Sequence, residues 1–70
     1  MNPKQAIREA ERIARAIRDN AEAIHTDAVS WEAFSERNIA LWRKAEAEPR
    51  VATMVRALLR NDPNWREEKP

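Results

Sequence analysis

Residues 3–28 read PKQAIREAERIARAIRDNAEAIHTDA, and this stretch decides the fold. Ile7, Ala10, Ala14, Ile17, Ala21, Ile24 and Ala28 recur at alternating spacings of three and four, with Ala6 and Ile13 flanking the same side. At about 100° per residue these side chains share one arc of a helix, while Lys4, Arg8, Glu11, Arg12, Arg15, Arg18, Asp19 and Glu22 share another. One face is dry and the other wet, which is the pattern of a packing element. The wet face should carry the i,i+4 ion pairs Glu11–Arg15, Arg15–Asp19 and Arg18–Glu22, each adding a few tenths of a kcal/mol. At its start, Asn2 suits the N-cap, Pro3 the first helical position and Gln5 the reciprocal place in a capping box. A helix over about 3–26 follows, fraying near His25 to Ala28.

Working outward, Ser30 is a second N-cap, with Val29 and Phe34 placed for a hydrophobic staple. The helix it opens, about 31–46, carries Trp31, Phe34, Asn38, Leu41, Trp42 and Ala45 on one arc and Ile39 to the side. The connection is short, so the second helix should lie antiparallel on the first. Asn38 falls within the apolar arc, where an amide needs a partner and can set register. Glu48 before Pro49 breaks the pattern, and Pro49 opens a third helix, about 49–60. Val51, Ala52, Met54, Val55, Leu58 and Leu59 cover a wide arc, so this helix should touch both others or a second chain. Asn61 is suited to a left-handed cap, Asp62-Pro63 stops the helix, and Trp65 should fold back onto the bundle. The fold class expected is therefore all-α: a small three-helix bundle forming a single domain over residues 1–66, with a frayed tail at 67–70.

Composition narrows the chemistry. With no Gly in 70 residues, a Gly-rich phosphate loop or dinucleotide turn cannot be built, and with no Cys there is no disulfide or thiolate metal site. Thirteen Lys and Arg against twelve Asp and Glu leave a net charge of +1, so no global field draws nucleic acid or membrane. Apolar runs last only a few residues, far short of the roughly 20 that span a bilayer, and no secretory leader follows Met1, so no membrane association and a cytoplasmic location are expected.

Glu22-x-x-His25 has the spacing by which bundles present metal ligands, but it occurs once and His25 is the lone histidine. Ser30 and Ser35 have capping and surface roles, so no nucleophilic triad assembles. No enzyme activity, metal or cofactor is expected. The expected function is that of a small non-enzymatic interaction protein, a regulator or antagonist that binds another macromolecule. Compact proteins of this kind are encoded by phages and plasmids, an analogy of size and composition alone. The competing class is a nucleic-acid-binding regulator that uses Arg50, Arg56 and Arg60 on the third helix, since residues 43–66 carry six basic against three acidic side chains. Self-association as a twofold dimer is expected along Ile7, Ala10, Ala14 and Ile17, because a second helix shorter than the first leaves its N-terminal end uncovered. Ala33, Ala40 and Ala47 on the second helix, and Ala16 and Ala23 on the first, recur every seven residues away from the main arcs, as close contacts with another helix would.

Overall fold

The chain begins its first helix by satisfying the helix's own loose ends. In the computed structural model, which describes residues 1–65, Asn2 Oδ1 accepts from the Gln5 amide at 2.9 Å and Gln5 Oε1 accepts from the Asn2 amide at 3.2 Å. The capping box is complete, and α1 runs Pro3–His25. Ser30 Oγ accepts from the Ala33 amide at 3.1 Å and opens α2, Trp31–Glu46, while Pro49 opens α3, Pro49–Leu59. Residue 66, expected to close the domain, and the tail expected at 67–70 lie outside the described residues.

Two helices end in a left-handed residue that is not glycine. Asp27 and Asn61 both take positive φ, at 57° and 58°, in the left-handed region. Around each of them, an amide bonds back to close the last helical turn: Ala28 to the Ala23 carbonyl at 2.8 Å, and Asp62 to the Ala57 carbonyl at 3.0 Å. These are Schellman caps, in which the short polar side chain of Asp or Asn lowers the steric cost that Gly would avoid. Asn61 takes the cap expected of it. At Asp27 the expected fraying is replaced by a defined turn.

The three helices all pack on one another, and the contact of α1 with α3 is the most extensive. Its core is made of Ala6, Ala10, Ile13, Ala14 and Ile17 from α1, Val51, Ala52, Met54 and Val55 from α3, and Ala45 from α2. Alanines on α1 let the α3 backbone come close, so the branched side chains Ile13, Val51 and Val55 are sealed completely. Arg18 ties the far end: its guanidinium donates to the Leu58 carbonyl and to Asn61 Oδ1, holding the C-terminus of α3 against α1. Trp65 does fold back and packs, half-buried, against the core.

This packing corrects the expected self-association seam. Ala10, Ala14 and Ile17 are buried inside the chain's own core and Ile7 packs partly against it, because α3 runs along the end of α1 that α2 leaves free. The uncovered overhang that would favour pairing there does not exist. The centre of the dry arc also lies to one side of the expected seam, at Ala6, Ala10, Ile13, Ile17 and Asn20, which keep the three-and-four spacing but run through Ala6 and Ile13, the residues expected only to flank it. The expected ion-pair ladder is likewise not formed: Arg12 instead pairs with Glu9, one turn away at 3.0 Å, and Arg18 is engaged by α3. No helix among the described residues is long and apolar enough to cross a membrane.

Candidate functional site

Helix α2 stands apart from the other two. It carries five large apolar side chains, Trp31, Phe34, Ile39, Leu41 and Trp42, yet the sole residue it buries is Ala45. Leu41 and Trp42 pack partly against the core, so Trp42 is a half-buried flank of it. Trp31 is 69% exposed and Ile39 52%. Trp31 lies on Phe34 with ring centroids 5.2 Å apart at a tilt of 34°, a contact that holds the indole in place at little entropic cost. At about 100° per residue, Trp31, Ser35, Ile39 and Trp42 line one flank of α2, with Glu32 and Glu46 one heptad to either side of Ile39. The result is an apolar strip, interrupted by Ser35, whose edge carries Glu32 and Glu46 with Arg43 beside them.

The opposite flank of α2 faces α1 across an open groove of ≈ 460 Å³. Ala16 and Ala23 line it from α1 and Ala40 from α2, with Asp19 contributed by α1 and Arg37 by α2. Three of the five alanines whose seven-residue recurrence is visible in the sequence meet here. Asn20 lies in the same wall and is 6% exposed. Its Nδ2 donates to the Phe34 carbonyl at 3.0 Å, which locks α2 to α1, while its Oδ1 has no hydrogen-bond partner. A buried acceptor left unpaired costs about 1–3 kcal/mol. Asn20 is legible in principle, standing three residues after Ile17 and four before Ile24 on the dry arc. Asn38, the amide more conspicuous in the sequence because large apolar residues surround it, is only half-buried.

The three arginines expected to form a basic patch are less concentrated than expected. Arg56 and Arg60 are exposed, one turn apart on the outer side of α3. Arg50 is exposed too and lies about 80–120° around the helix from them, at the edge of the same polar side. Thr53, between them on the polar side, donates its hydroxyl to the Pro49 carbonyl at 3.1 Å. Glu22 and His25 lie at the end of α1, and the described residues contain no group of three or more His, Cys, Asp or Glu placed to hold a metal. No family model matches the chain, and neither a curated protein nor a solved structure does.

Proposed function

We propose that this is a non-enzymatic interaction protein that presents α2 to a protein partner, as a regulator or antagonist would. The observation that carries the reading is the mismatch within α2: five large apolar side chains, one buried alanine and an indole left 69% exposed. Apolar surface of that kind has a free-energy cost in water that the fold does not recover, and Trp is among the residue types most enriched as energetic anchors of interfaces. The carboxylates Glu32 and Glu46 at its edge favour a partner with an apolar pocket bordered by Lys or Arg.

The test is a comparison of the parent with Trp31→Ala/Ile39→Ala as baits in extracts of the native host. Both side chains are exposed, so the double variant should melt within a few degrees of the parent and yet lose the captured protein, its affinity falling by about tenfold or more. Equal capture of the same protein by both baits defeats the reading. A labelled DNA or RNA duplex at low salt provides the competing arm: on this reading it does not shift, whereas a salt-dependent shift abolished by Arg56→Ala/Arg60→Ala would transfer the function to α3.

A further inference from the structure

Asn20 is the one buried polar side chain among the described residues, 6% exposed, and it stands where α1 meets the first half of α2. Its Nδ2 donates to the Phe34 carbonyl at 3.0 Å, while its Oδ1 is sealed from water without a donor. We infer that this amide is the latch of a local opening, in which segment 31–40 of α2 lifts from α1 as a unit and lets water reach the Asn20 side chain, while the core between α1 and α3 stays closed.

The polar terms favour such an opening. The closed contact makes one hydrogen bond and strands one acceptor, whereas in the open form both ends of the amide are hydrated. A buried polar atom left without a partner is where a fold holds strain. What resists is apolar contact, and on this segment it is thin: Phe34 and Leu41 are half-buried, and α2 seals no side chain before Ala45. Water has a short way in, because the groove of ≈ 460 Å³ runs beside Asn20, so a shift of about the width of a water molecule joins the oxygen to solvent. The ends of the segment suit that motion. The amides of Thr26, Asp27 and Ala28 bond back into α1, at the Glu22, Ile24 and Ala23 carbonyls, and Ser30 accepts from the Ala33 and Phe34 amides of α2, so Val29 joins two helices that are each capped without the other. One residue of slack is about 3.5 Å of chain, enough for the shift. At the other end Ala45, 0% exposed, pins α2 to the core. Trp31 lies on Phe34, so the exposed indole travels with the segment and the opening re-aims it.

Amide hydrogen exchange of the free chain in dilute solution, in the parent, Asn20→Leu and Asn20→Ala, decides the matter and needs no partner. If the opening breaks the Asn20 contact, a substitution there changes exchange at amides 35–40 by the same factor as at amides 10–17 and 53–59, which exchange through global unfolding, because the contact is lost in both events. Asn20→Leu removes the stranded oxygen and has the groove beside it to take the larger side chain, so it should slow both sets by about tenfold. Asn20→Ala, which gives up the bond to Phe34 as well, should also shift the two sets by one common factor. Amides 35–40 that keep the parent's rates while 10–17 and 53–59 shift overturn the inference, since Asn20 then stays packed when α2 exchanges. Rates unchanged at both sets overturn it too. So does failure of both variants to fold, because a contact that one segment gives up on its own cannot be what holds the whole chain together.

Discussion

Ile13→Ala should lower the unfolding free energy by about 2–5 kcal/mol, which is comparable with the whole stability expected of a chain this small, roughly 3–5 kcal/mol. Ile13 is 1% exposed and is one of the three largest side chains the core seals completely. It lies at the centre of the α1 arc, among alanines that cannot move in to fill the space, so the cavity term adds to the lost transfer energy. Urea titration followed by circular dichroism should find the variant largely unfolded before denaturant is added. Trp42→Ala, although it removes a larger side chain, should cost less than the about 3–5 kcal/mol of a fully enclosed Trp, because the indole is half in water. An Ile13→Ala variant more stable than Trp42→Ala would show that the core is centred on α2 instead.

Ala45→Glu should be as damaging by a different route. Ala45 is 0% exposed and is the one residue that α2 places fully inside the core. A glutamate there puts a carboxylate in a space with no room and no buried cation, at a cost of several kcal/mol unless the helix lifts away. The expected result is loss of the cooperative melt, with helicity reduced and the apolar dye-binding surface increased. Ala40→Glu, on the same helix and of the same chemistry, should leave the melt unchanged because Ala40 is exposed. If the two variants melt alike, α2 is not oriented as described.

What can be read directly from the residues is local. Asn2 with Gln5, and Ser30, announce helix starts through bonds that span three residues, Pro49 does so through its fixed φ, and Asn61 marks a helix end by tolerating the left-handed region; each element begins or stops where these residues imply. The wide apolar arc of α3 likewise signals a helix touching both neighbours, as it does. The misplacements concern information that only the assembled bundle contains. Helices α1 and α2 taken as a pair leave an apparent overhang at Ile7, Ala10 and Ala14; α3 fills it, although nothing in those three residues says which helix will. Arg18 has the spacing of a rung in an ion-pair ladder, yet its partners Leu58 and Asn61 are 40 and 43 residues downstream. Asp27 gives little warning of its cap, because a non-Gly residue seldom takes positive φ and the short polar side chain that makes it tolerable is also common in plain surface turns. The α1–α2 groove is half visible, as alanines repeating every seven residues. That Asn20 joins them with an unpaired oxygen requires the fold.

Helices α1 and α3 close the core while the first half of α2 buries no side chain fully, and amide hydrogen exchange in dilute solution measures this division most directly. Amides 10–20 of α1 and 53–59 of α3 should exchange only through global unfolding, because they back onto the sealed side chains Ile13, Val51 and Val55. Amides 35–40 of α2, behind which no side chain is fully buried, should exchange at least about tenfold faster by local opening. Protection of 35–40 equal to that of 10–20 and 53–59 would contradict the division, since α2 would then be bound into the core as firmly as its neighbours.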